Sequence, residues 1–257
     1  MPLTCSHPAA ILPFKRYTRL DFPALVIGSM SPDFGYFIGQ RYLAKLAHRP
    51  FGTVLICVPT GLLVYALFQL IRRDFCYLLP SPHRNQLMPL AQQRKPFTGK
   101  RFITLCLSLL LGVWTHVIWD QFTHDGSYIA RHFAPLRTVL FYIGKQEITI
   151  SYVLQYISTI VGAAILAIAY LKWLRSQPPK PDNQSDTWRY LLIATLALIS
   201  LAIGTAIAIH LSPRVHDFHT FRDFFYKTGV TSVSMFTILT VTAAILCYTR
   251  RPNQSDM

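Results

Sequence analysis

Residues 102–124 read FITLCLSLLLGVWTHVIWDQFTH. From Phe102 to Trp119 the stretch carries no Asp, Glu, Lys or Arg. At about 1.5 Å of helix per residue it is long enough to cross most of a hydrocarbon core. Its end is different. His116, Asp120 and His124 recur every four residues. Four residues turn through about 400° on an α-helix, so the three side chains project from nearly one face. Ionisable groups at membrane depth are costly and mark a functional face.

The rest of the chain repeats the apolar pattern. Of 257 residues, 52% are hydrophobic and 14% charged. Runs at Thr53–Ile71, Ser151–Trp173, Tyr190–Leu211 and Gly229–Tyr248 join Phe102–Trp119 as expected spans. Phe22–Ile38 is shorter and is interrupted by Pro32 and Asp33, so it reads as a broken or re-entrant helix. The fold class expected is all-α: a multi-pass transmembrane helical bundle with about five full spans plus a broken or re-entrant N-terminal segment. Residues 1–257 are expected to form a single integral-membrane domain, with a motif-bearing half at 1–130 and three further transmembrane helices within 151–248. No cleavable signal peptide is expected, since Lys15 and Arg16 follow the short apolar run Pro8–Phe14 instead of preceding it. The five cysteines show no C-x-x-C spacing and no disulfide framework.

The formal net charge is +14. Arg72, Arg73, Arg84, Arg94, Lys95, Lys100 and Arg101 lie between the first two full spans, and the positive-inside rule assigns that loop to the cytoplasm. No helical periodicity is evident in it. Counting outward with Phe22–Ile38 as a sixth crossing, the inside segments hold nearly twice the Lys and Arg of the outside ones. His116 and Asp120 then approach the external face. The basic residues flank helices instead of covering one surface, which points to membrane lipids as partners and excludes nucleic acid. Arg175–Trp188 is proline-rich and reads as a solvated linker, and its Asn183-Gln184-Ser185-Asp186 recurs at Asn253–Asp256. The expected location is the bacterial inner (cytoplasmic) membrane.

Four further clusters share the donor chemistry of the His116 helix: Ser6-His7-Pro8, Gly28-Ser29-Met30-Ser31-Pro32-Asp33, His48-Arg49 and His216-Asp217-x-His219. Imidazole and carboxylate are the usual protein ligands of zinc and other divalent transition metals. His116 and Asp120 are one turn apart and can reach one ion; His124 is about 12 Å from His116 along the axis, better placed at an entrance or a second ion. Each residue also has a plainer reading. His7 before proline fits a helix cap, Asp33 after Pro32 a turn, and His48 beside Arg49 an interfacial basic residue. His116 and Asp120 fit a helix–helix hydrogen-bonded pair, and His216 and His219 a solvated loop.

The order His7, Pro32-Asp33, His48-Arg49 and Gly112-x-x-x-His116-x-x-x-Asp120-x-x-Thr123 resembles that of bacterial inner-membrane proteins described as metal-dependent hydrolases. Ser6–Ala9, Gly28–Asp33 and Thr115–His124 resemble more closely the motifs of a bacterial multi-pass family known only as a domain of unknown function. A more distant similarity is to zinc-dependent phospholipase C, a soluble enzyme. The resemblance covers about residues 1–130, and it implies a metal set of His7, Asp33, His48, His116 and Asp120. His7 is the misfit, since six crossings leave it on the far side unless residues 1–20 fold back.

These readings imply metal-assisted hydrolysis of a lipid or phosphoester, with zinc as the expected divalent cofactor. Asp33 or Asp120, whichever is not a ligand, would serve as general base, and Arg49 or Arg131 would hold a phosphate. Two other functions fit the same residues. One is a transporter or proton-coupled channel that relays ions along His and Asp. The other is a non-catalytic scaffold whose histidines only pack helices.

Overall fold

In the computed structural model the described residues are 4–17, 19–93, 96–180, 185–212, 215 and 217–249. Among them, five helices are long and apolar enough to cross a membrane: Pro50–Leu78, Gly99–His132, Ile150–Arg175, Thr187–Leu211 and Phe218–Cys247. Leu55, Ile160 and Leu198 are largely exposed along them. Bands of exposed large apolar side chains on this scale are foreign to water-facing proteins and suit lipid contact. The protein is an all-α membrane protein, with one small hairpin among the described residues. The chain divides into two compact units, Met1–Tyr65 with Phe97–Ala169 and Arg214–Tyr226, and Ala66–Pro96 with Tyr170–Pro213 and Lys227–Met257.

The first unit begins with a 3-10 segment, Thr4–Arg16, that contains Pro8 and Pro13. Helix α1 (Phe22–Met30) starts at Asp21, whose carboxylate accepts from the Ala24 amide at 3.1 Å. Pro32 ends it. A 3-10 turn, Ser31–Asp33, and the short α2 (Phe34–Phe37) follow, so the segment read as broken is broken. Gly39, at φ 74°, reverses the chain into α3 (Arg41–Ala47). Then come α4 (Pro50–Gly52), a π turn at Thr53–Cys57 and α5 (Val58–Leu78).

After α6 (His83–Gln92) comes α7 (Gly99–Thr123), the helix of the opening stretch, capped by Thr98. It crosses α1 at two glycines. A Cβ on Gly28 would overlap the Leu109 carbonyl, and one on Gly112 would lie 2.7 Å from the Ser29 amide nitrogen. Small residues let backbones approach closely where lipid supplies no hydrophobic drive. Ala24, Tyr65, Leu105 and Leu109 pack on one side of this crossing, with Ile27 and Leu62 against them. Polar bonds pin it further: Ser108 accepts from the Asp21 amide at 3.0 Å, and Tyr65 donates to the Asp21 carboxylate at 3.1 Å. The Thr4–Arg16 segment lies against both α1 and α7.

Beyond α7 lie α8 (Tyr128–His132), α9 (Ala134–Arg137) and an antiparallel hairpin, β1 (Val139–Ile143) with β2 (Gln146–Thr149), turning at Gly144. The carboxylate of Asp125 accepts from Thr149 at 2.6 Å and from Ser151, tying the end of α7 to the start of α10 (Ile150–Arg175).

The second unit takes in the remaining lengths of α5 and α10, with α6, α11 (Thr187–Leu211) and most of α12 (Phe218–Thr249). Its polar staple is Arg189, 1% exposed. The guanidinium donates to Asp186 at 2.8 Å and to the Tyr77 carbonyl at 3.1 Å, and it stacks over Trp188. Arg84 reaches the same carboxylate at 3.2 Å.

Three boundaries differ from expectation. The basic stretch 72–101 is largely helical, because charge does not stop a helix: α5 runs through Arg72, Arg73 and Asp74 and ends before Pro80. α12 likewise starts at Phe218, ahead of the apolar run at Gly229. The hairpin was not anticipated between the second and third spans. The Asn-Gln-Ser-Asp echo, Arg94 and Lys95 lie wholly or partly outside the described residues. All five cysteines are free.

Candidate metal centre

The α1–α7 crossing builds the centre. Because Gly112 lets α1 come close, the Ser29 carbonyl lies 2.7 Å from His116 Nδ1. A carbonyl only accepts, so Nδ1 carries the proton and Nε2 points the other way. His48, at the end of α3, is held in the same manner: its Nδ1 donates to the Ala44 carbonyl at 2.8 Å. Both Nε2 atoms are thus aimed at one region, the arrangement by which backbone carbonyls orient metal-binding histidines.

Two carboxylates meet them there. Asp120, one turn beyond His116, puts Oδ2 3.3 Å from His116 Nε2 and 3.2 Å from His48 Nε2. Asp33, on the 3-10 turn after α1, puts Oδ1 3.7 Å from His116 Nε2 and 3.5 Å from His48 Nε2. Its other oxygen accepts from Thr4 at 2.7 Å. Asp33 and His116 are fully buried and Asp120 is 6% exposed. His7 comes from the Thr4–Arg16 segment, which folds back onto α1 and α7. Its ring stacks on His116 with centroids 3.7 Å apart, and its Nε2 is 3.8 Å from Asp120 Oδ1.

Among the described residues, Asp33 Oδ1, His48 Nε2 and His116 Nε2 are buried without a hydrogen-bond partner; the 3.2 Å between His48 and Asp120 lacks hydrogen-bonding geometry. Three orphaned donors or acceptors around one point are an unusual expense in a buried site. One ligand atom each from His7, Asp33 and His116 lies within 4.8 Å of the others, and the same holds for His48, His116 and Asp120. Ligands of one zinc ion sit about 3–4 Å apart, given bonds of about 2.0–2.2 Å. Each of these two overlapping triads could therefore hold a small divalent cation.

The electrostatics agree with the geometry. Burial, with His116 beside it, pulls the His7 imidazole down to about 3, so it is neutral at pH 7. Burial also acts to lower His48, but the carboxylates of Asp120 and Asp33 outweigh it, and the net direction is up. Two buried carboxylates make a site that draws in positive charge, whether as a proton or as a metal.

His124 stands at the mouth. Its Nδ1 is 3.5 Å from Asp120 Oδ1 and its Nε2 is 3.0 Å from the Gln155 side-chain nitrogen on α10. Arg49 and Arg131 are exposed. His219 is exposed in the first turn of α12, and His216 lies outside the described residues. Three participants carried no signal in the sequence. Thr4 has nothing but its position near His7, and the Ser29 and Ala44 carbonyls are invisible to any motif. Gln155 sits in an apolar run, where a lone amide was a usable hint.

A family model described as "Domain of unknown function (DUF4184)" matches residues 1–249, and the chain belongs to that family. No curated protein and no solved structure matches the chain.

Proposed function

We propose that this DUF4184 family member is a membrane-embedded metal-dependent hydrolase acting on a lipid or phosphoester at the membrane interface. The observation that carries the reading is the convergence of three buried atoms without partners among the described residues: Asp33 Oδ1 lies 3.5 and 3.7 Å from His48 Nε2 and His116 Nε2, and those two nitrogens lie 3.2 and 3.3 Å from Asp120 Oδ2. Asp33, His48, His116 and Asp120 would hold the cation, with His7 at its edge. A zinc ion bound there would supply a Lewis acid and an acidified water.

The chain's own residues divide the remaining work. Asp33 does not line the cleft beside the site, and its second oxygen is committed to Thr4, so its role is that of a ligand. Asp120 does line the cleft. Its Oδ2 faces His48 and His116 while its Oδ1 faces His7 and His124. Oδ1 is therefore the atom suited to accept a proton from water, and His124, whose Nε2 accepts from the Gln155 amide so that Nδ1 carries its proton, is suited to donate from Nδ1 to a leaving group.

The test is metal content by mass spectrometry on protein purified in detergent after metal-replete growth. About one equivalent of zinc or a similar cation per chain is expected. Asp120→Asn keeps the volume and loses the charge, so it should lose metal while remaining folded. Less than about a tenth of an equivalent in the wild type would reject the site. Cation flux in liposomes that depends on His116 would instead favour transport.

A further inference from the structure

A cleft of about 390 Å³ opens beside the centre, between the Thr4–Arg16 segment, the end of α7 and the first half of α10. Its volume is at the small end of ligand sites, which run from about 300 to 1,000 Å³. Its lining is graded. His7, Asp120, Thr123, His124 and Gln155 form the end at the centre. Away from it, Ala10, Val161, Gly162 and Ile165 make a mostly apolar wall, in which Ser6, Ser158 and Thr159 are the polar members. Gln155 to Ile165 covers about 15 Å of helix. Val161 and Ile165 are themselves 48% and 45% exposed, on a helix apolar enough to span, so the wall is reachable from the bilayer side.

Charge is the second observation. Among the described residues that line the cleft there is no Lys or Arg. Asp33 and Asp120 would neutralise a divalent cation held there. A phosphate headgroup would then enter a poorly solvated site with no cation left to pair with it, at the cost of its desolvation. A carbonyl needs no such partner.

We propose that the cleft binds an uncharged, single-chain acyl ester lipid, with its hydrocarbon chain along Ala10, Val161 and Ile165 and its carbonyl at the Asp120–His124 end. This rests on the hydrolase reading and narrows its substrate. In the step implied, the oxygen of water bonds to the carbonyl carbon and the carbon–oxygen bond of the ester breaks. His124 gives its Nδ1 proton to the leaving oxygen and is then reprotonated by Asp120 Oδ1, which had taken a proton from the attacking water. The products are a free alcohol and a fatty acid. The small volume favours one chain over the two of a bilayer phospholipid.

The experiment uses full-length protein in nanodiscs with two probes, monooleoylglycerol and an oleoyl lysophosphatidate, reading equilibrium binding, oleate release and zinc content together. Monooleoylglycerol should bind and release oleate, and the phosphate-bearing probe should bind at least about tenfold more weakly. Ile165→Trp, and separately Val161→Phe, fill the wall at exposed positions where folding is not at stake. Each should weaken monooleoylglycerol binding by about tenfold with zinc content unchanged. Equal or tighter binding of the lysophosphatidate overturns the neutral-lipid assignment, and wall variants that bind both probes like wild type overturn the cleft. Absence of zinc with wall-sensitive binding intact would instead sink the hydrolase reading and leave the lipid site standing.

Discussion

Gly112→Ala tests whether the helix crossing builds the centre. The new Cβ would lie 2.7 Å from the Ser29 amide nitrogen, where ordinary contact begins at 3.4 Å, so α1 must retreat by at least 0.7 Å. The Leu25 carbonyl is a closer obstacle still. Ser29 also supplies the carbonyl that holds His116, so the same retreat stretches that bond from 2.7 Å toward 3.4 Å. Overpacking of this kind costs about 1–3 kcal/mol, and the lost hydrogen bond about 0.5–1.5 kcal/mol more. With His116 free to rotate, zinc affinity should fall by about 10- to 100-fold, the usual effect of removing a group that orients a metal ligand. Thermal unfolding in detergent reads the first quantity, and chelator competition for zinc reads the second. Gly99→Ala, at the start of the same helix with nothing within 4 Å of its added Cβ, is the control and should change neither. A folded Gly112→Ala protein with wild-type zinc affinity would refute the claim that this crossing sets the His116 orientation.

Thr4→Val removes the only donor bonded to Asp33 Oδ2 among the described contacts; zinc affinity should drop by about tenfold, and the orphaned buried oxygen should cost about 1–3 kcal/mol, read as a lower unfolding midpoint. Acid should release the metal, because protons compete with it for the imidazole nitrogens; since the carboxylates push the His48 imidazole up, retention should begin to fall above the ordinary imidazole value of about 6.5 and keep falling as pH drops, measured by metal content after dialysis. Undiminished loading at pH 5 would argue against histidine ligation. Arg189→Met strips the buried partner from Asp186 and should cost about 3 kcal/mol, less whatever Arg84 compensates, read as a lower unfolding midpoint.

The membrane-spanning character was legible in the chain because hydropathy is local: each of the five long helices contains its own apolar run. So was the stripe of His116, Asp120 and His124, since four-residue spacing on a helix needs no knowledge of neighbours. Helix ends were misjudged at Arg72 and Gly229, because charge marks a change of solvent and proline or a cap marks the end of a helix. Only the tertiary structure brings His7 to the centre, since the return of the Thr4–Arg16 segment onto α1 and α7 is a long-range packing event with no local code. The same holds for the roles of Thr4 toward Asp33, 29 positions away, and of the Ser29 carbonyl toward His116, 87 positions away. Every residue has a carbonyl and side-chain identity says nothing of where it points, so which one orients an imidazole is decided by the approach of two helices at Gly28 and Gly112.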